Sequence, residues 1–475
     1  MPQGASGFAA GATVLVASAG TFCDASIVGA AVAALRRAGA RVACLVDEPQ
    51  AAAARRDAGA GGEVHTYRAP AFVTRDVELG AADTSASAAA WAAAHPVQAF
   101  QARRWVREVA ERLRALERRL RPAAVVVHYA LLPALFRLGP AHLAASAAPH
   151  VVLHMAPGVP NATAPWVFDG RVRDRRFALF EPPSRAAAAD SWAELLRRAA
   201  PGAGGDAGAE AAACALRGLH HALCWDEGVA PPLEPLPGLG MQQLDVRRVG
   251  ALEARTEGSR KGAKLPPELA PLAAFLAEQR AAGRRAAMCS FGSFAAHPGL
   301  RALLPALFAR LADAGYAVVF HDTAHSGVAP PTTQRESESR SPATPYLRVA
   351  GHVPYAWAVP RVQLVAFTGS LCLQATCFRH AVPMVFLPLL TEQHFWARAY
   401  RRACGVEYAA PHDQAPAAAR RSLAAAVRDA SGARALAHVR AVSRAARARG
   451  DAAAALARLV AQLAREAREG AAARW

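Results

Sequence analysis

The sequence predicts an α/β protein of two domains, each a parallel sheet flanked by helices. Three observations lead there. The chain runs to 475 residues, more than a single core usually serves. Its opening, Ala12–Ala17 (ATVLVA), an Ala-rich segment closed by Gly39, then Arg41–Val46 (RVACLV), reads as strand, helix, strand. Near the other end VQLVAF (362–367) and MVFLP (384–388) are short, apolar and bounded by turns, as buried parallel strands are. The residues between them suffice for a helical crossover.

In chain order, Ser18–Ser26 reads as a turn and Ile27–Ala38 as a helix. Residues 49–100 read as loop-rich. Arg103–Arg121 is an amphipathic helix, with Val106, Val109, Leu113, Leu116 and Leu120 three or four apart. Glu108 with Arg112 and Glu117 with Arg121 stand at ion-pair spacing on it. Pro122 ends it, and strands follow at Ala123–Val127 and Val151–Met155. Pro231, Pro232, Pro235 and Pro237 mark the approach to a linker. The predicted division is 1–245, a linker at 246–265, and 266–475. The second domain reads as a helix (Pro267–Gly283), a strand (Ala286–Ser290), a helix (Leu300–Ala314) and a strand (Ala317–His321). A Ser/Thr/Pro-rich insertion (Asp322–Pro345) and a strand (Tyr346–Ala350) come next. Ala-rich helices at 416–430, 433–448 and 452–469 close the chain.

Composition narrows the function. Lys+Arg exceed Asp+Glu by 55 − 37, a net charge of +18, and nearly all the excess is Arg. The arginines read as solvated helix faces, with peripheral contact to an anionic membrane surface as the alternative. No basic run is interleaved with aromatics, so nucleic acid is not an expected partner. The eight cysteines form no C-x-x-C pair or zinc pattern and read as reduced thiols, which suits a cytoplasmic protein. The uncharged start before Asp24 lacks a basic region and a continuous apolar core, and reads as a lead into the first strand. No stretch has the uninterrupted apolar length of a membrane span.

Chemistry-bearing residues gather at predicted strand ends. Thr368-Gly369-Ser370 puts free backbone N–H groups and two hydroxyls at a helix start, a setting that suits a phosphate. Glu392 and Gln393 are expected in a loop past the carboxyl end of the next strand, where ligands of open α/β sheets bind. Ser290-Phe291-Gly292-Ser293 joins a strand to a helix. Asp24 falls in the first strand-to-helix turn, where an ordinary helix cap would also suit it.

These stretches resemble the GT-B-type nucleotide-sugar-dependent glycosyltransferases, nearest the sterol glucosyltransferases and bacterial antibiotic glycosyltransferases. Ala381-Val382-Pro383, Glu392-Gln393 and Phe395-Trp396-Ala397 fall where that family has G-V-P, D-Q and F-W-A. Ser290–Ser293 matches its S-F-G-S. Gly20, Thr21 and Asp24, then Ala34-Leu35, Gly39 and Val42, match its N-terminal signature. Gly351-His352-Val353-Pro354 resembles its loop against the donor base. The resemblance implies two Rossmann-like domains facing each other across a cleft, with the last helix crossing back to the first. It implies metal-independent, inverting transfer of a hexose from a UDP-sugar to a hydroxyl of a sterol, lipid or other apolar small molecule. The nucleotide sugar would be a co-substrate, with no cofactor. Asp24 would be the general base. Ser290, Gly292, Ser293, His352, Val353, Thr368, Gly369, Ser370, Cys372, Leu373, Glu392 and Gln393 would hold the donor.

One stretch departs from the family. Thr368–Leu373 stands where the family has H-G-G-A-G-T, so a hydroxyl replaces a histidine and bulk replaces small residues. A lost strong donor to the diphosphate costs about 2–4 kcal/mol of transition-state stabilisation, roughly a hundredfold in rate. The alternative reading is therefore a GT-B-fold protein that binds nucleotide sugar or lipid without efficient turnover.

Overall fold

The computed structural model describes residues 7–19, 22–69, 96–154, 214, 218–226, 228–230, 245–252, 267–322, 333–334, 345–350, 353–389, 391–411 and 414–472. The first lobe opens with β1 (Thr13–Ala17), α1 (Phe22–Arg37), β2 (Arg41–Asp47), α2 (Ala51–Ala58) and β3 (Glu63–Tyr67). Next come α3 (Pro96–Leu120), β4 (Ala124–His128), α4 (Leu132–Leu138), α5 (Pro140–Ala145) and β5 (His150–His154). Two further strands, β6 (His220–Leu223) and β7 (Asp245–Arg248), complete a seven-stranded sheet in the order β3-β2-β1-β4-β5-β6-β7. Every pairing in it is parallel.

Several sequence expectations are corrected here. Helix α1 begins at Phe22, not Ile27, so Asp24 lies in its first turn rather than in the preceding loop. The 49–100 region holds α2, β3 and the start of α3. Strand β3 (EVHTY) lacks an apolar run because Glu63, His65 and Thr66 make up three of its five residues and only Tyr67 is buried. The linker was expected to start at 246, but Asp245–Arg248 pairs with β6 as an edge strand of the first sheet.

Helix α3 shows the expected stripe, with Val109 and Leu113 fully buried. Glu108 pairs with Arg112, Oε1 to Nη2 at 2.9 Å. Glu117 turns inward instead of meeting Arg121. It takes His142 Nε2 and His150 Nε2, each at 3.2 Å. Burial works to raise its pKa, but the bonds from His150 and His142 outweigh that and hold it below the usual value.

The second lobe comprises α6 (Ala270–Ala281), β8 (Arg285–Ser290), α7 (Leu304–Asp313), β9 (Tyr316–Asp322), the two-residue β10 (Thr333–Gln334) and β11 (Tyr346–Ala350). It continues with α8 (Tyr355–Ala358), β12 (Leu364–Phe367), α9 (Leu371–Arg379), β13 (Met384–Phe386) and α10 (Thr391–Cys404). The sheet order is β10-β11-β9-β8-β12-β13. Five strands run parallel, and β10 pairs antiparallel to β11. Within the Ser/Thr/Pro-rich insertion only this short strand and its two ends are described.

Helices α11 (Pro416–Ala430), α12 (Ala433–Arg449) and α13 (Ala452–Ala472) close the chain at nearly the expected limits. Their signal is local, since Ala favours helix and the apolar period is regular. Helix α13 packs on α1 and β4, so the last helix does return to the first lobe. One hydrophobic cluster runs through both lobes. Trp225 and Trp396 meet edge to face across the junction, centroids 5.5 Å apart. Arg449 pairs with buried Asp226 beside them. Among the described residues no helix is long and apolar enough to cross a membrane.

Candidate functional site

Strand order locates the site. In the first sheet the chain reverses its direction of build between β1 and β4, and in the second between β8 and β12. Loops leaving such neighbours diverge to opposite faces and open a crevice at the carboxyl ends. On the second sheet those loops are Phe291–Ser293 after β8 and Thr368–Ser370 after β12, and Ser290 pairs in register with Phe367. On the first sheet the residues past β1 and β4 are Ser18 and Tyr129. Helix α1, carrying Asp24, packs against α9, which starts directly after Thr368–Ser370. The helix that carries the expected base and the helix that follows the expected phosphate loop are therefore in contact across the lobes.

The β12 loop is tight. Gly369 has φ of 113°, and a Cβ there would lie 3.1 Å from Gln393 Cα and 3.2 Å from Gln393 O. Only glycine meets both demands. Ser370 occupies the cap position of α9, yet its hydroxyl makes no capping bond and is buried without a partner. Thr368 is buried, as are Cys372 and Leu373. One turn along, four residues from Ser370, Gln374 is fully buried and neither atom of its amide has a partner. Native proteins rarely leave such groups unsatisfied, because each costs about 1–3 kcal/mol.

Glu392 and Gln393 lie in the first turn of α10 rather than in a loop, which corrects the expectation. Gln393 is buried, and its Oε1 accepts the Leu389 N–H at 2.9 Å. Its carbonyl end thus fixes the turn leading into α10.

The β8 loop is finished differently. Ser290 was expected among the residues that hold the donor. It is only 3 % exposed, and its Oγ lies 2.9 Å from both His321 Nδ1 and Tyr355 Oη. Gly292 follows with φ of 55° and no atom within 4 Å of a Cβ position. Val353, two residues before α8, is buried. Gly20, Thr21 and His352 lie outside the described residues, as do the side chains of Asp24, Ser293 and Glu392.

Sequence reasoning missed the first sheet's imidazoles. His128 and His154 end β4 and β5, and His154 Nε2 lies 2.9 Å from His221 Nδ1 on β6. His154 is fully buried. Burial first, then His221 and His128, hold its pKa well below the ordinary value, so it is neutral at pH 7. Single histidines scattered through a sequence give no signal. The strand ends on which they fall would have been the clue. Among the described residues no group of His, Cys, Asp and Glu is arranged to hold a metal ion.

No protein-family model matches the chain, and no curated protein matches it. Solved structures do. A UGT89C1 of Arabidopsis thaliana, complexed with UDP-L-rhamnose, aligns over 96 % of this chain and 100 % of its own, with TM-score 0.60 and 14 % identity. A UDP-glucosyltransferase from Polygonum tinctorium that glucosylates indoxyl aligns over 96 % and 99 %, with TM-score 0.59 and 14 % identity. CalG4, the calicheamicin glycosyltransferase, aligns over 96 % and 99 %, with TM-score 0.57 and 16 % identity. The two parallel sheets, the returning last helix and these end-to-end alignments define a protein of the GT-B fold.

Proposed function

We propose that this chain is a nucleotide-sugar-dependent glycosyltransferase acting on a small molecule. The observation that supports the reading is the packing of α1, the helix that carries Asp24, on α9, the helix that follows Thr368–Ser370. The end-to-end likeness to transferases of that chemistry supports it. In the proposed reaction the Asp24 carboxylate takes the proton of an acceptor hydroxyl. The oxygen attacks the anomeric carbon of a hexose from the face opposite the leaving group. The bond to the diphosphate breaks, and the configuration inverts. Backbone N–H groups at the start of α9, with the helix dipole, offset the charge that develops on the nucleoside diphosphate. The acceptor is a sterol, lipid or other apolar molecule, the donor a UDP-sugar, and no metal takes part. The chain divides into an acceptor-binding N-terminal domain and a donor-binding C-terminal domain.

A second reading has its own observation. Leu371, Cys372 and Leu373 are buried at the start of α9, where a diphosphate needs small residues. On that reading the nucleotide binds and turnover fails. UDP binding measured by thermal shift, with UDP release from UDP-glucose by the natural chain and by Asp24→Asn, separates the two. Loss of a general base slows the reaction roughly a hundred- to ten-thousandfold. Binding without Asp24-dependent release favours the second reading. Failure to bind any nucleotide sinks both.

A further inference from the structure

Ser290, His321 and Tyr355 come from three elements and meet at one hydroxyl. Ser290 ends β8, and His321 stands in register beside it on β9. Tyr355 opens α8, immediately after Val353 and Pro354. The Ser290 Oγ lies 2.9 Å from each partner, and the His321 and Tyr355 rings meet edge to face at 5.9 Å. Ser290 and His321 are buried, and Tyr355 is half-buried. Burying such groups costs little when they are hydrogen-bonded, as these are to one another.

The consequence lies in what the hydroxyl joins. On one side Ser290 continues directly into Phe291 and Gly292, the loop that flanks the crevice from β8. On the other, Tyr355 belongs to a stiff segment. Val353 is buried, and the Pro354 carbonyl accepts the N–H groups of Trp357 and Ala358 at 2.9 and 3.0 Å. The Ser290 side chain therefore ties the end of β8 to the first residue of α8. With two bonds committed and almost no exposed surface, it is badly placed to touch a ligand itself.

We infer that Ser290, His321 and Tyr355 are positioning residues that fix nucleotide affinity, by locking the Val353–Pro354 segment to the β8 loop. The inference rests on the proposed nucleotide-sugar site. None of the three contacts the reacting atoms, so the latch governs how tightly the nucleotide is held rather than how fast the sugar moves.

The test titrates UDP and dTDP into the full chain by calorimetry, for the natural protein, Tyr355→Phe, Ser290→Ala and the double variant, with melting temperatures and the rate of UDP-glucose hydrolysis alongside. Each single change should weaken the nucleotide about five- to tenfold, with kcat altered less than about twofold. The double variant should be no weaker than the weaker single, because both remove the same bond. If Tyr355→Phe fails to fold, Ser290→Ala carries the same readout. Unchanged affinity with a lowered melting temperature would overturn the inference and leave the network a structural staple. A natural chain that binds neither nucleotide would be recognised separately, because it fails before any variant is compared, and it removes the inference along with the site.

Discussion

The two loops that flank the crevice of the second sheet are built on different terms. The β8 loop is anchored by a hydroxyl whose neighbours are satisfied within the protein. The β12 loop ends in a serine hydroxyl and, one turn on, a glutamine amide, both buried and both without partners. The β8 loop also keeps the S-F-G-S pattern intact, whereas Thr368–Leu373 departs from its counterpart. A completed network holds shape. Unsatisfied buried groups mark the place where something else, a ligand or water, is needed. The contrast teaches that the loop matching the motif is satisfied within the protein, while the loop that departs from it holds the unpartnered groups.

The sharpest way to break this contrast is to change the binding capacity of the β12 loop. Thr368→His restores a strong donor beside the proposed diphosphate site, and UDP-sugar turnover should rise by up to about a hundredfold. An unchanged rate in a steady-state assay would mean that the loop does not serve the diphosphate.

The same substitution made in both loops comes next in size. Gly369→Ala forces a side chain into φ of 113° and against the Gln393 backbone. It should cost about 1–3 kcal/mol of stability and displace the loop. Gly292→Ala meets no neighbour and carries only the left-handed strain of φ 55°, about 1 kcal/mol. Urea denaturation of the pair should show the larger loss for Gly369. Equal losses would erase the difference between the loops.

Gln374→Leu tests the unpartnered amide. Removing a buried unsatisfied group while keeping its bulk should stabilise the free protein by about 1–3 kcal/mol, read as a higher melting temperature. On the present reading UDP affinity falls at the same time. A gain in stability with unaltered affinity would mean the amide has no ligand.

The first lobe supplies a contrast in pH. His154 has its pKa lowered by burial, so the unfolded chain binds a proton that the folded one refuses. Its contribution is fully present above about pH 6.5 and is lost as the pH falls below that. The slope is at most about 1.4 kcal/mol per pH unit. Denaturation between pH 5 and 7 should be less pH-dependent in His154→Leu by up to that amount. The smallest effect belongs to Ala381, which sits at φ 56° where the family's G-V-P places glycine. Ala381→Gly should gain up to about 1 kcal/mol, because it relieves left-handed strain.

Local pattern made much of the molecule legible. The apolar runs that became β1, β2, β4, β8, β9, β12 and β13 are buried on both faces, so their composition announces them. The three closing helices follow from Ala content and period. By contrast, β3, β6 and β7 carry His, Glu, Asp or Arg, and their apolar signal is diluted. The site divided in the same way. Thr368–Ser370 and the residues after β8 could be placed at strand ends from sequence. That Asp24 sits inside a helix, that Gln393 faces its own turn and that Gln374 lacks a partner could not.

By itself the sequence determined an α/β chain with two parallel sheets and the strand ends where polar residues gather, because periodicity and turn chemistry act over a few residues. Only the tertiary structure decided which of those residues are occupied with one another. Ser290 meets His321 and Tyr355 from 31 and 65 positions away, and α1 meets α9 from the other lobe. Hydrogen bonds and packing across such separations depend on how the sheets assemble, and nothing in the local order of residues encodes them singly.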